Sequence, residues 1–416
     1  MERMARSRAF AVVATALALS GCAGRVEGVF VPSPRAAGTN LVDMLVATTR
    51  QKDAKPGEMF SGERGAKITF ANIVVSIPPD GARKVGEVQW PERLPANPEK
   101  DFAVFKAVDI DRNGAGAWFN HTIARVPKRR VMVFVHGFNN RFDDAVYRFA
   151  QIVHDSHAPV APILFTWPSR GSVLAYGYDR ESTNYSRDAL EQLLQVLAKS
   201  PNVGEVSILA HSMGNWLVLE ALRQMGIRNG RVSPKIKSVM LAAPDVDVDV
   251  FRRQIAEMGK PRPSFSLFVS QDDRALALSR RVWGGGVRLG AIDPEMEPYR
   301  NELAQADIQV FDMTKLAGGD RLNHGKFAES PEVVRLIGQR LAEGQTITDS
   351  RVGLGDRIVQ LTAGAAATVG SAAGLVLSAP VAVLDANSRN NYGAHVENFG
   401  RTLTDTTKSA VELAPE

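Results

Sequence analysis

The stretch Val206–Leu222 reads VSILAHSMGNWLVLEAL. A short apolar run with the character of a buried strand leads into Ala210-His211-Ser212-Met213-Gly214, and an apolar run of helical period follows. A chain that turns sharply from strand to helix at a serine lifts that hydroxyl clear of the sheet, and the turn leaves room only for small residues two places to either side. Ala210 and Gly214 stand there. This is the nucleophile-elbow pattern G-x-S-x-G with the first glycine replaced by alanine. The helix N-terminus behind Ser212 supplies a partial positive charge where negative charge would develop in acyl transfer.

The surrounding pattern agrees. Val131–Val135 (VMVFV), Val160–Trp167, Val203–Leu209, Ile236–Ala242, Phe265–Val269 and Ile308–Met313 read as strands. Between them, Phe142–Val153, Ala189–Leu197, Gly214–Met225 and Val250–Met258 carry helical periodicity, and a final helix starts at Ser330-Pro331. Strands alternating with helices predict an α/β fold, a mostly parallel sheet covered on both faces, with the site at the carboxyl ends of the strands. Val42–Thr48 and Ala71–Ile77 add strands of an N-terminal extension.

Serine needs a base, and in this chain order the base follows an acid. Of the seven histidines, only His324 and His395 lie downstream of a possible acid, and His395 has no strand ahead of it. His324, in a loop after the last strand, is the candidate base. Asp273, in Ser270-Gln271-Asp272-Asp273 after the strand FSLFV, is the candidate acid; Asp272 and Asp245 are the alternatives. The oxyanion of acyl transfer calls for fixed backbone N–H groups. Phe138, after His136-Gly137, and Met213, after the nucleophile, are the candidate donors, whereas His136 and His211 read as structural.

Composition narrows the function classes. The 416 residues are 44% apolar and 23% charged, with a formal net charge of +5, too weak a balance for a nucleic-acid partner. No phosphate loop or His/Cys ligand spacing is present, so neither cofactor nor metal is expected. The one cysteine excludes internal disulfides. It is Cys22, in Leu19-Ser20-Gly21-Cys22, after a basic start and the apolar run Ala9–Leu19. This resembles a lipoprotein signal, with residues 1–21 removed and Cys22 lipidated. The expectation is a chain anchored in the bacterial envelope, on the periplasmic side of the outer membrane rather than the inner one. Residues 22–40 then read as a tether, 41–344 as the hydrolase-type domain, and 345–416 as an Ala/Gly-rich segment with a polar tail. Within the last, Ile358–Leu384 carries no charge, but small residues and Pro380 favour a packed or surface-lying helix over a membrane span.

Taken in order, VATTR (Val46–Arg50), FSGER (Phe60–Arg64), HGFNN, FTWPSRG (Phe165–Gly171), AHSMGNW, LAAPDVD, SQDDRAL and NHG resemble a bacterial family of α/β-hydrolases, uncharacterised esterase/lipase-like proteins, over about Leu45 to Leu341. The resemblance implies a serine hydrolase acting on carboxylic esters, with Trp167–Tyr185 a loop over the site. Two other functions use the same residues or the same fold: acyl transfer to an acceptor other than water, and a non-catalytic envelope binding module.

Overall fold

The computed structural model describes residues 25–283, 285–316 and 320–343. The signal segment, Cys22 and everything from 344 onward, including Ile358–Leu384, lie outside the described residues. Nine strands form one sheet: β1 (Asn40–Lys52), β2 (Phe60–Ile77), β3 (Ala103–Ile110), β4 (Arg130–Val135), β5 (Ala161–Thr166), β6 (Glu205–His211), β7 (Ile236–Ala242), β8 (Ser264–Val269) and β9 (Ile308–Asp312). Their spatial order is β3-β2-β1-β5-β4-β6-β7-β8-β9. β2 runs antiparallel to both β1 and β3, while β1 lies parallel to β5 and every neighbouring pair from β5 to β9 is parallel. The α/β-hydrolase architecture expected from the alternation is therefore present, extended at one edge by the β1–β3 meander.

Side-chain alternation explains the layering. On β4, Val131, Val133 and Val135 enter one core, with helices Arg112–Ile123, Tyr176–Lys199, Gly214–Asn229 and Val248–Ala256. Met132 and Phe134 enter the opposite core, with helices Phe142–Ser156 and Pro331–Glu343. A strand covered on both faces can be apolar throughout, which is why VMVFV has no polar member. Phe134 stacks on Phe149 with centroids 5.3 Å apart, and each such buried ring stabilises the domain by about 1.5–3 kcal/mol.

Three expectations change. The tether reading fails for the described part of 22–40: Val29 and Phe30 are buried, the Phe30 ring lies 5.0 Å from Phe142, and the Phe30 N–H donates to Gly57 O. Two large apolar residues in a Pro/Gly-rich stretch had a core to join, formed by residues as near as Val42 and Phe60 and as far along the chain as Phe142. β3 and the helix Arg112–Ile123 also went unread, because β3 is half exposed and the helix carries a weak apolar face. The third concerns Trp167–Tyr185. From Tyr176 onward it is the start of a 24-residue helix, not a loop. Its first half buries Asp179, Ser182, Thr183 and Ser186 instead of apolar residues, with Ser186 Oγ 2.8 Å from Thr49 Oγ1 and Arg64 Nε donating to Ser182 Oγ at 3.0 Å. Apolar periodicity cannot register a helix whose inner face is polar.

One buried group is out of keeping with its surroundings. Tyr147, on the helix Phe142–Ser156, packs against Trp90 and Phe102, and its hydroxyl has no hydrogen-bond partner among the described residues. Burial, aided by the nearby Asp143 and Asp101 carboxylates, pushes that phenol well above its ordinary range. A buried hydroxyl without a partner is destabilising relative to hydrogen. Tyr147→Phe is therefore expected to raise unfolding free energy by about 1 kcal/mol in urea titration; a loss of that size would show that the hydroxyl is bonded.

Candidate active site

Ser212 lies between the end of β6 and the helix Gly214–Asn229 with φ +52°. A non-glycine residue pays roughly 1–2 kcal/mol for that left-handed backbone, so other contacts must hold it. The Ser212 N–H donates to Ala242 O at 3.0 Å, at the end of β7. Ser212 O accepts from the Asn215 and Asp245 N–H groups, at 3.1 and 3.2 Å, and from Asn215 Nδ2 at 2.9 Å. Small residues are required on both sides. A Cβ on Gly214 would lie 2.3 Å from His136 O, and one on Gly137 would lie 2.8 Å from Ser212 Cβ. The turn is thus pressed directly against the end of β4.

His324 sits in the loop beyond β9, its N–H donating to both carboxylate oxygens of Asp320 at 3.0 and 3.2 Å. Its Nδ1 is 2.6 Å from Asp273 Oδ2. The other oxygen of Asp273 accepts from the Leu276 N–H at 3.0 Å, so this carboxylate also caps the helix Arg274–Trp283. Burial works against the charged imidazole, but the adjacent Asp273 carboxylate prevails and raises the His324 pKa to about 9. With Nδ1 committed to Asp273, Nε2 is the nitrogen left for the cavity. Ser212, His324, Phe138, Gly137 and Asp245 all line one cavity of about 390 Å³. Met213 is buried directly ahead of the helix, where the N–H groups of the first turn have no acceptor within the helix.

The alternative acids have other partners. Asp245 accepts from Tyr176 Oη at 2.7 Å and Ser279 Oγ at 2.8 Å, with Arg288 Nε at 3.3 Å. Asp272 is held by Lys326 Nζ at 2.8 and 3.0 Å and by Asn323 Nδ2 at 2.9 Å. Of the three aspartates singled out, the structure brings Asp273 to His324. The other two histidines are neutral brackets. His136 is sealed in, its ring stacked on Trp167 at 4.8 Å; its Nδ1 lies 2.8 Å from Gly137 O and its Nε2 accepts from the Trp167 N–H at 3.1 Å. His211 stacks on Phe327 at 4.4 Å and lies beside His324. Burial depresses both, aided at His136 by Arg50 and at His211 by His324.

Residues 111–340 match the family of alpha/beta hydrolases of unknown function (DUF900). The chain belongs to this family. Among curated proteins it is similar to an uncharacterized protein of Nostoc sp., 26% identical over 133 residues, covering 26% of this chain and 34% of that one. The chain thus spans about a third of that relative's length. Among solved structures it is similar to fungal esterases from Rhizomucor miehei, at 13% identity and TM-score 0.35 over 73% of this chain and 84% of that one. It is also similar to a lipase-esterase related protein from Clostridium acetobutylicum, at 15% identity and TM-score 0.22 over 53% and 85%.

The family match starts after the β1–β2 hairpin, yet this hairpin supplies the support beneath the site. Arg50, last residue of VATTR, is completely enclosed. It donates to Thr166 Oγ1 at 2.8 Å, Ser169 O at 2.9 Å, Asn140 O at 2.9 Å and Ser61 O at 3.1 Å. It therefore ties the loop after β4, which carries Phe138, to the loop after β5. Desolvation draws its pKa down to about 10. Asp179 accepts from Ser169 Oγ and the Arg170 N–H in the same layer, and burial raises it to about 7. Neither residue was singled out from the sequence, nor were Asp320, Tyr176 or Lys326. A charged residue closing an apolar strand, as Arg50 does, was the one available sign.

The planar fork of Arg50 addresses several carbonyls at once, which an ammonium on a similar stem cannot do. Arg50→Lys is expected to lower stability by about 1.5–3 kcal/mol, the value of one charge-assisted hydrogen bond, read as a lower urea midpoint with unchanged slope. An unaltered midpoint would mean that the fork does not hold these loops.

Proposed function

We propose that this chain is a serine hydrolase that cleaves carboxylic esters through an acyl-enzyme. The observation that carries the reading is the 2.6 Å contact of Asp273 with His324 in the wall of the cavity that Ser212 also lines. Ser212 Oγ attacks the ester carbonyl while His324 Nε2 takes its proton. Asp273 fixes the ring with Nδ1–H toward itself and stabilises the imidazolium. The Phe138 and Met213 N–H groups receive the oxyanion. As the tetrahedral species collapses, the C–O bond to the alcohol breaks and His324 returns the proton to the departing oxygen. Water then attacks the acyl-serine by the same route in reverse, and no cofactor enters. The Leu19–Cys22 motif supports attachment of this hydrolase to the envelope through a lipid on Cys22, on the periplasmic side of the outer membrane.

A fluorophosphonate probe and p-nitrophenyl esters of rising chain length test the assignment. Labelling and turnover are expected in the parent and lost in Ser212→Ala, and turnover is expected to fall about a thousandfold or more in His324→Ala. Unchanged turnover in either variant overturns that role, and no labelling of a folded parent leaves the binding-module reading. Added alcohols that divert the acyl group into new esters would point to acyl transfer instead.

The acidity of His324 fixes the pH dependence. A general base must be neutral, so kcat/KM is expected to rise with pH and level off above about 9. In Asp273→Asn the main charge that holds the proton is gone, and burial is opposed only by the weaker pull of Asp320 and Asp245. The rising limb then moves to lower pH while the maximum falls by about 10³–10⁴. A limb at the same pH in both proteins would disconnect Asp273 from His324.

A further inference from the structure

The cavity of Ser212 lies between two lips. One is the turn Val173–Ala175 and the other the helix Arg274–Trp283, joined where Tyr176 Oη meets Ser279 Oγ at 2.9 Å. Val173, Leu278 and Val282 line the cavity. Next to them apolar surface faces outward: Val282 is 61% exposed and Leu174 88%. A single exposed leucine needs no explanation. Here Leu174 follows the lining residue Val173, and Val282 follows Arg280 and Arg281 on the helix that forms the other lip. Arg280, Arg281 and Arg321 are exposed, and none has a carboxylate partner among the described residues. Arg321 also lines the cavity. The acids of the neighbouring loops are engaged elsewhere, Asp272 with Lys326 and Asp320 with the His324 N–H.

Exposed apolar tips beside exposed arginines fit one kind of surface well. A neutral bilayer would use the tips and leave the arginines unmatched. An acidic protein would match the arginines and leave Leu174 in water. A bilayer with anionic headgroups satisfies both, since side chains enter the acyl boundary while guanidinium groups meet phosphates. We propose that the mouth of the site docks on an anionic phospholipid surface, with Leu174 and Val282 inserted and Arg280, Arg281 and Arg321 on the headgroups. The substrate is then a lipid ester taken from that surface. The identity of the substrate rests on the hydrolase reading; the docking does not.

The test uses the full chain carrying Cys22→Ser, so that no acyl anchor contributes. Partition is measured onto vesicles of phosphatidylcholine alone and of phosphatidylcholine with about a third phosphatidylglycerol. The parent is expected to prefer the anionic vesicles and to lose that preference as salt is added. Arg280→Gln/Arg281→Gln is expected to weaken partition about 25-fold, roughly fivefold per arginine, and Leu174→Ser by about tenfold. Both variants should keep the parent's turnover of a water-soluble acetate ester, which also certifies their fold. Partition equal to the parent's in both variants, or none by the parent, overturns the docking surface while leaving the hydrolase reading intact. Partition that depends on these residues in a parent without ester turnover keeps the surface and overturns the lipid-ester substrate.

Discussion

Ser212 keeps its left-handed backbone because its surroundings exclude a relaxed one. β7 holds its N–H through Ala242 O, Asn215 and Asp245 hold its carbonyl, and the end of β4 presses on it through Gly137. This packing places the hydroxyl at the strand ends with the start of a helix behind it. Any side chain at Gly137 or Gly214 would collide with backbone or with the serine itself. The strain is local, and the sheet that bears it is covered by helices on both faces, so it can be sustained.

The charged groups around this turn work in separate pairs. Asp273 meets His324, Asp272 meets Lys326, and Asp245 meets Tyr176, Ser279 and Arg288. The enclosed Lys326 also donates to Ser270 Oγ, Met313 O and Thr314 O, which links the loop of the histidine to the ends of β8 and β9. Buried ions require this kind of saturation, since an unpaired one would shed its charge or open the fold. Of the carboxylates around His324, Asp273 contributes most to its raised pKa, with Asp320 and Asp245 adding to it more weakly. On the far side of the cavity Arg50 plays the corresponding part for the loops after β4 and β5.

Much of the site was legible because strained turns have few solutions. Ala210-x-Ser212-x-Gly214 between a strand and a helix, His136-Gly137 after the first parallel strand, and a histidine beyond the last one are local constraints that one chain can reveal. Asp179, Ser182, Thr183 and Ser186 were illegible for the opposite reason: they lie on a buried helical face that is polar, and polar spacing looks like surface. Val29 and Phe30 sit in a stretch with the composition of a linker, and only Phe142 and Phe60 around them make it part of the core.

By itself the amino-acid order determined the alternation of strands and helices, the elbow at Ser212, and the short set of residues able to serve as acid, base and oxyanion donors. Each of these follows from contacts or steric limits within a few positions along the chain. The tertiary structure decided which aspartate reaches His324 and that Arg50 closes the floor of the site. It also decided that the exposed Val282 and Arg321 line the same cavity as Ser212. Those outcomes depend on distances between segments up to a hundred or more residues apart, which are set by the packing of the whole sheet and by no local pattern.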